Sequence, residues 1–282
     1  MPSLEKAPHT VHSNLNFLSP ALKEKPYYGS NSPDKVAESN IIVNTVLTEL
    51  TDVRSLSPEE QAGFTLDTSG FQFYKHQSVE KDFTDEKRIK DVYYPEVEAL
   101  LKSVTGAKRI YVFDHTIRRR SHDAPGHEHR GDRGPGLRAH VDQSPKAGAA
   151  RVKLHLGDEA DELLKGRVQI INVWRPLRGP VQDTPLAMAD FRTVDPVSDV
   201  VATDLIYPER TGETYSVRHS PAQKWYWFSE QQTDEVILLK CYENEVVKGR
   251  ALFTPHSAFI NPEAPKDALP RWSIEVRALV FY

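Results

Sequence analysis

Apolar residues recur with a helical period in one stretch of the chain and with a strand period in most of the rest. In residues 84–107, TDEKRIKDVYYPEVEALLKSVTGA, the apolar positions follow one another at intervals of three and four. This spacing predicts an amphipathic helix, and Gly106 is a natural C-terminal stop. Pro95 lies inside the segment and predicts a kink or a division into two helices.

Short segments rich in β-branched and aromatic residues predict strands elsewhere. Ser144-Pro145 predicts a second helix from 145 towards 165, because serine caps a helix and proline fits its first turn. The Gly, Pro and charged residues of 121–138 predict a loop, and residues 1–40 predict an irregular wrap. The predicted strands lie in residues 37–50, 71–79, 108–120, 167–177, 215–232, 234–244, 250–260 and 271–282.

This order of elements, with helix early and many short strands later, predicts an α+β protein. The expected core is a double-stranded β-helix, that is, a cupin-like jelly-roll, with flanking helices. The whole chain, 1–282, is predicted to be a single catalytic domain, with the helix and β-helix core in 90–282.

Composition and charge exclude several classes of partner and site. The formal net charge of −4 gives no electrostatic reason to expect a nucleic acid or a membrane as partner. A single cysteine, Cys241, excludes an internal disulfide and a cysteine-rich zinc site, and its apolar surroundings predict a buried inert thiol. The N-terminus does not resemble a signal peptide and no apolar run is long enough to span a bilayer, so we expect a soluble, cytoplasmic protein. The oligomeric state is left open.

The segment GLRAHVDQSP, residues 136–145, contains His140 and Asp142 one residue apart. In a strand, such residues point to the same side, about 7 Å apart. Two histidines and one carboxylate form the facial triad of mononuclear iron(II) oxygenases, and His256 is the best candidate for the second histidine. Alone, this motif is more often a pair of polar residues on one face of a strand.

The last strand supplies a second clue. Arg271 and Ser273 share one face, as do Glu275 and Arg277. An arginine fork and a hydroxyl suit the distal carboxylate of 2-oxoglutarate, and an inward arginine is costly without an anion. The alternative is a purely structural role, in which Arg271 pairs with Glu275 or caps the strand.

Several segments together resemble one family, the fungal AsaB-like and gibberellin desaturase-like hydroxylase/desaturases, which are Fe(II)/2-oxoglutarate-dependent oxygenases. These segments are YYPEVEALL, RIYVFDHTIRRR, RAHVDQSP, INVWRPLRGPV…PLAMAD, KWYWFSEQQTDEVILLKCYEN and PHSAFINP…PRWSIEVRALVFY, in order over residues 90–282. The resemblance implies a double-stranded β-helix and the cofactors Fe(II), 2-oxoglutarate and O2. It also implies metal ligation by His140, Asp142 and His256, and it leaves the choice between Arg271 and Arg277 as cosubstrate anchor open.

Five further residues are candidates for substrate binding: Arg118, Asn172, Trp174, Arg175 and Tyr226. Arg118 equally suits a surface salt bridge, and Trp174 equally suits core packing. Strand 108–120 carries Asp114, Thr116 and Arg118 on one face and His115, Ile117 and Arg119 on the other, of which one set is expected to line the cavity. Lys240 interrupts an apolar strand, and it is either functional or extends outwards to solvent. His122, His127 and His129 are expected in a loop at the rim of the site rather than in a second metal centre.

The predicted function is oxidation of a C–H bond in a small molecule of secondary metabolism, by hydroxylation, desaturation or oxidative cyclisation. Two alternatives remain at this point. One is a non-catalytic jelly-roll that binds a small molecule, and the other is a metal hydrolase or isomerase that does not use 2-oxoglutarate. Arg271 and Ser273 argue against both, since neither needs a buried site for a second carboxylate.

Overall fold

A computed structural model describes residues 7–29, 39–119, 134–208 and 210–282. Within them, the chain forms two β-sheets with a few short helices. The strands are β1 (Thr10–Leu18), β2 (Tyr27–Gly29), β3 (Val43–Asp52), β4 (Phe71–Lys75), β5 (Arg109–Arg118), β6 (His140–Val141), β7 (Val168–Pro176), β8 (Leu186–Ala189), β9 (Val200–Ile206), β10 (Thr211–Val217), β11 (Trp225–Trp227), β12 (Glu235–Glu243), β13 (His256–Ala258) and β14 (Ser273–Phe281). The helices are α1 (Pro58–Ala62), α2 (Glu86–Arg88), α3 (Tyr94–Thr105), α4 (Pro145–Leu156) and α5 (Ala160–Leu163).

The order of the strands brings distant parts of the chain together. One sheet has nine strands in the order β1-β3-β11-β8-β13-β6-β10-β9-β2, and the other has five in the order β4-β12-β7-β14-β5. Neighbouring strands are antiparallel except β3 with β11 and β2 with β9. Because β6 pairs with both β10 and β13, short segments far apart in sequence lie side by side in the middle of the larger sheet.

The two sheets face each other across a shared apolar core. Met188 of the nine-stranded sheet is buried in the same cluster as Ile170 and Leu239 of the five-stranded sheet. The other face of the five-stranded sheet is covered by α3, whose Val97 packs in a second cluster with Val276. Burial on both faces explains why β7, β12 and β14 read as nearly continuous apolar runs.

The predicted helix at 84–107 is present and is divided at Pro95. A π-helical turn, Ile89–Tyr93, separates α2 from α3, and Pro95 lies in the first turn of α3. Proline has no amide hydrogen to donate to the preceding turn, and a widened turn accommodates this loss. Gly106 ends α3 with a left-handed φ of 72°, so its predicted role as the C-terminal stop is confirmed.

The prediction of an irregular segment over residues 1–40 is wrong where β1 and β2 form. In β1, Val11, Ser13, Leu15 and Phe17 are buried in alternation with more exposed residues. This period of two is a strand signal that the polar composition of the region masked. Strands β8 and β9 were not predicted. β8, LAMA, is only four residues long and has no β-branched residue.

Lys240 does not extend outwards. Its side chain is fully buried, and its Nζ donates to Asp67 Oδ1 at 2.7 Å, to Glu243 Oε2 at 3.2 Å and to the carbonyl of Ala251 at 3.0 Å. The residue therefore holds a buried ionic cluster together. Cys241 is buried and burial raises the pKa of its thiol, which confirms the prediction of an inert cysteine.

Among the described residues, no helix is long and apolar enough to cross a membrane. The single domain and the cytoplasmic location stay predictions. The predicted loop at 121–138 lies mostly outside the described residues, as do His122, His127 and His129, and residues 134–137 form neither helix nor strand.

Candidate metal centre

Three candidate ligands converge in the middle of the nine-stranded sheet. His140 begins β6 and pairs directly with His256, the first residue of β13, and Asp142 follows β6. Directly paired residues of antiparallel strands point to the same face. One ligand atom from each of the three residues lies within 4.8 Å of the others.

The hydrogen bonds of the two imidazoles determine which nitrogen of each ring can bind a cation. His140 Nδ1 lies 2.7 Å from the carbonyl of Arg138, and His256 Nδ1 lies 3.1 Å from the carbonyl of Thr254. A carbonyl only accepts, so each Nδ1 donates and each Nε2 is left with its lone pair. These Nε2 atoms lie 3.3 and 3.9 Å from Asp142 Oδ1. Such a set of lone pairs needs a cation among them, either a proton or a metal ion.

Asp142 is held as a carboxylate by its neighbours. Asn172 Nδ2 donates to Asp142 Oδ2 at 2.7 Å, and Arg277 Nε lies 3.3 Å from the same oxygen. Burial raises the pKa of Asp142. His140, when a proton rather than a metal ion occupies its Nε2, and the charge of Arg277 outweigh that effect, and the pKa of Asp142 falls well below its usual range. The donor set of two imidazoles and one carboxylate matches the facial triad of non-heme iron(II) sites.

Arg277 is mostly buried and surrounded by carboxylates. Its guanidinium lies 2.9 Å from Asp114, 3.3 Å from Asp142 and 3.3 Å from Glu275. Burial lowers the pKa of Arg277, and these three carboxylates raise it well above its ordinary value. The cation is thus fully compensated by the protein.

Arg271 is buried without such compensation. It is 4% exposed, and among the described residues no carboxylate lies within 4.0 Å of its guanidinium. Its Nη1 donates to the carbonyl of Thr184 at 2.8 Å, and its buried Nε has no partner. Burial and the charge of Arg118 lower the pKa of Arg271 to about 9. A buried arginine in this state needs an anion. Pairing with Glu275, the alternative left open by the sequence, does not occur.

Ser273 is buried at the start of β14, two residues after Arg271, and it pairs across the sheet with Pro176 and Arg118. Arg118 Nη1 donates to the carbonyl of Gly134 at 2.6 Å. The guanidinium of Arg271 lies over the ring of Trp174, 5.4 Å from its centroid. Trp174 itself is 3% exposed and belongs to the core between the sheets, so core packing is its observed role.

Arg175, a predicted substrate contact, lies away from the proposed metal ligands. Its guanidinium lies on the face of β7 that α3 covers, where Nε donates to the Tyr93 hydroxyl at 2.9 Å and Nη1 donates to the carbonyl of His76 at 2.9 Å. Asn172 and Trp174 occupy the opposite face, as the period of two requires. Arg175 therefore binds the helix to the sheet and does not reach the metal site.

Two other predicted substrate residues have different surroundings from those expected. Asn172 is fully buried, and its Nδ2 also donates to Glu275 Oε1 at 3.0 Å, so its amide supports the carboxylates of the site. Tyr226 packs against Phe64, with 4.7 Å between ring centroids, and lines a separate groove.

A cavity of about 650 Å³ opens beside Asp142 and Arg277. Both faces of β5 line it, which corrects the expectation that one set of its side chains does so. Sequence reasoning missed eight of the residues that line it, because no local motif marks them. The eight are Phe83, Thr84, Glu86, Gln143, Arg151, Leu205, Tyr207 and Arg210.

Comparisons with known proteins find similar sequences that match nearly the whole chain. A family model described as an oxidoreductase/YMDC permease-like domain matches residues 15–281. The alpha-ketoglutarate-dependent dioxygenase phiK of a fungal species is 31% identical, over 98% of this chain and 100% of that protein. The Fe(II)/2-oxoglutarate-dependent dioxygenase nvfI of Aspergillus novofumigatus is 33% identical, over 95% of this chain and 96% of that protein.

A solved structure has the same overall shape. The iron and alpha-ketoglutarate-dependent endoperoxidase NvfI superposes with a TM-score of 0.82 at 32% identity, over 98% of this chain and 99% of that one. The likeness therefore extends through both sheets and is not confined to a motif.

Proposed function

This chain belongs to the family of fungal Fe(II)/2-oxoglutarate-dependent dioxygenases and hydroxylase/desaturases, and we propose that His140, Asp142 and His256 hold its iron(II) ion. The protein is an oxidoreductase that uses Fe(II), 2-oxoglutarate and O2 to oxidise a small molecule of secondary metabolism. The observation that carries the ligand assignment is the convergence of two imidazole Nε2 atoms and one carboxylate within 4.8 Å. A non-catalytic binding protein and a metal hydrolase or isomerase find no support among the relatives.

We infer that the two facing sheets form the double-stranded β-helix of this enzyme class, and that residues 1–282 make a single catalytic domain. The support is the mainly antiparallel pairing in both sheets and the shared core between them. This architecture explains how a two-residue strand can carry metal ligands. β6 is held on both sides by β10 and β13, so its side chains are fixed although the strand is short.

Arg271 is the residue we assign to the distal carboxylate of 2-oxoglutarate, with Ser273 beside it. Arg271 is buried, has an unpartnered Nε and has no carboxylate of the described chain within ion-pair distance. Arg277 is the weaker candidate because Asp114, Asp142 and Glu275 already neutralise it. A dianionic cosubstrate would supply the charge that Arg271 lacks and that Arg277 does not need.

Iron(II), when bound with 2-oxoglutarate and O2, supplies the oxidising power to remove hydrogen from a C–H bond. The chain's own residues set the conditions for this chemistry. The carbonyls of Arg138 and Thr254 keep each Nδ1 protonated, so that the lone pair of each Nε2 is free to bind the metal ion. Asn172 and Arg277 orient the carboxylate of Asp142. The cavity beside Asp142 holds the substrate near the metal.

The test combines spectroscopy with product analysis. Fe(II) and 2-oxoglutarate are added to the protein without oxygen, and the metal-to-ligand charge-transfer absorption is recorded. Oxygen is then admitted and succinate is measured. We expect the band and succinate from the wild-type protein. The absence of both would overturn the proposed function.

Variants assign the residues. His140→Ala and Asp142→Ala should abolish the band, whereas His12→Ala, at an exposed histidine of β1, should keep it. Arg271→Ala should weaken 2-oxoglutarate binding while Fe(II) binding stays intact. The anchor assignment is wrong if Arg277→Ala weakens 2-oxoglutarate binding and leaves Fe(II) binding unchanged, and Arg271→Ala does neither.

A further inference from the structure

Two arginines of the cavity beside Asp142 form no ion pair with any carboxylate of the described residues. Arg151 comes from α4 and Arg210 precedes β10, and both line the cavity. In the described part of the chain, neither guanidinium lies within 4.0 Å of a carboxylate or donates a hydrogen bond to a protein acceptor. Arg277, in the same cavity, has three carboxylates around it.

Aromatic rings hold these guanidiniums and leave their N–H groups available. Arg151 lies over Phe113 with its guanidinium carbon 5.4 Å from the ring centroid, and Arg210 lies over Tyr207 at 4.4 Å. A cation over a ring face is attracted to it without using the N–H donors of the guanidinium. Both guanidiniums therefore keep their N–H groups available for an external acceptor.

The two cations also repel each other and Arg277. Burial lowers the pKa of Arg151; the charge of Asp114 opposes this effect, and the charges of Arg210 and Arg277 add to it. Burial and the charges of Arg151 and Arg210 also lower the pKa of His155, one turn along α4 from Arg151, against the charge of Asp114. Positive charge is thus in excess on this wall, and an anion placed there would relieve the repulsion.

The carboxylates of the cavity are already engaged. Asp142 is a proposed metal ligand, Asp114 pairs with Arg277, and Glu86 pairs with Lys90 at 2.9 Å. The remaining lining includes the apolar side chains Phe83, Ile117 and Leu205, which suit a carbon skeleton.

We propose that Arg151 and Arg210 bind a carboxylate of the substrate, so that the substrate of this enzyme is an organic acid. A planar carboxylate matches the arginine fork in a bidentate contact. Because the cavity also contains Asp142, the carboxylate would anchor the carbon skeleton beside the metal. The proposal rests on the proposed function only in calling this ligand the substrate. It is separate from the 2-oxoglutarate site, which is assigned to Arg271.

The test compares acids with their neutral analogues. Indole-3-acetate, abietate and orsellinate are titrated by calorimetry, each beside its primary carboxamide, into enzyme loaded without oxygen with Fe(II) and 2-oxoglutarate. They represent aromatic, terpenoid and polyketide skeletons. For at least one pair, we expect the acid to bind about tenfold or more tightly than the amide, since a charged hydrogen bond is lost in the amide. Equal binding in every pair, or no binding by any acid, would overturn the proposal.

Variants locate the effect. Arg151→Gln and Arg210→Gln should each reduce the preference for the acid, Arg151→Lys should retain part of it, and the double glutamine variant should abolish it. Arg109→Gln, at an exposed arginine paired with Glu159, is the matched control and should keep it. Persistence of the preference in the double glutamine variant contradicts the assignment.

The same titrations distinguish this inference from the proposed function. A wild-type protein that never forms the Fe(II)–2-oxoglutarate absorption contradicts the proposed function, whereas acid binding is also measured on the metal-free protein and tests the arginine pair alone. Binding of 2-oxoglutarate should be unchanged in Arg151→Gln and Arg210→Gln. If both variants lose 2-oxoglutarate instead of the organic acids, the pair holds the cosubstrate and the inference is wrong.

Discussion

The side-chain amide of Asn172 donates a hydrogen bond of 2.7 Å to the carboxylate of Asp142. Asn172 belongs to β7 of the five-stranded sheet, whereas Asp142 follows β6 of the nine-stranded sheet. One hydrogen bond therefore spans the space between the sheets at the proposed metal site. The orientation of the proposed carboxylate ligand depends on the sheet that carries neither histidine.

Replacing Asn172 tests this dependence. We expect Asn172→Ala to weaken Fe(II) binding by about 10- to 100-fold, the usual cost of losing a residue that orients a ligand. Titration with Co(II), followed by its visible absorption, measures the change without oxygen chemistry. Gln169→Ala is the control, because Gln169 is a buried amide of the same strand that donates to Glu243 instead. Equal metal affinity in both variants would refute the role of Asn172.

The stability of the protein should respond in opposite ways to replacement of Arg277 and of Arg271 by methionine. Arg277→Met leaves Asp114, Asp142 and Glu275 without their shared cation, and we expect the free energy of unfolding to fall by about 3–5 kcal/mol. Arg271→Met removes a buried charge that has no carboxylate partner among the described residues, so the metal-free protein should be equally stable or more stable. Urea unfolding of metal-free protein measures both. A loss of similar size in the two variants would mean that Arg271 is compensated after all.

Arg175 offers a variant that affects stability but not binding. Its guanidinium donates to the hydroxyl of Tyr93 and to the carbonyls of His76 and Thr233. Arg175→Met would leave the buried hydroxyl of Tyr93 and two partly buried carbonyls without this donor, and the free energy of unfolding should fall by about 1–3 kcal/mol. The Fe(II)–2-oxoglutarate absorption of the folded variant should be unchanged at saturating ligand. A weaker affinity for Fe(II) or for 2-oxoglutarate would show that Arg175 contributes to the active site.

Because of the ionic cluster around Lys240, the free energy of unfolding should fall as the pH becomes acidic. Asp67 accepts hydrogen bonds from Lys240 at 2.7 Å and from Arg167 at 2.6 Å. Burial raises the pKa of Asp67, but these two cations lower it more, so the net shift is downward. A carboxyl group whose pKa is lower in the folded state contributes stability above its unfolded pKa of about 4, and this contribution is lost as the pH falls through the folded value.

Asp67→Asn checks this linkage. The difference in urea midpoint between wild-type protein and Asp67→Asn should be largest near neutral pH and should shrink below about pH 4. Asp161→Asn, which breaks an exposed pair with Lys153, should show little difference at any pH. A gap for Asp67→Asn that stays constant from neutral to acid pH would contradict the shift.

The parts of the site that the sequence predicts well are those with a local pattern. The period of two predicts that His140 and Asp142 share a face, and likewise Arg271 and Ser273, although Asp142 directly follows β6 and Arg271 lies just before β14. The same rule also separates Arg175 from Asn172 and Trp174 on β7. The alternation of apolar and polar residues in β1 is visible in the sequence, but the polar composition of residues 1–40 favours an irregular segment.

The rest of the site depends on contacts between distant segments. Nothing near Asn172 in the sequence indicates that its partner is Asp142, because that contact forms only when the two sheets pack. Arg151 lies on a short helix and Arg210 beside a strand that pairs with β6, and only the folded chain brings them to one cavity. Such pairings have no spacing rule that a single sequence can reveal.

The direct pairing of His256 with His140 has a consequence for how this chain tolerates insertions and deletions. A shift of β13 by a single residue against its neighbours would turn His256 to the opposite side of the sheet, away from Asp142. Because β13 is three residues long, it has few backbone hydrogen bonds with which to resist such a slip. The short stretches on either side of His256 are therefore where a change in chain length would cost the enzyme its proposed metal site while leaving most of the fold intact.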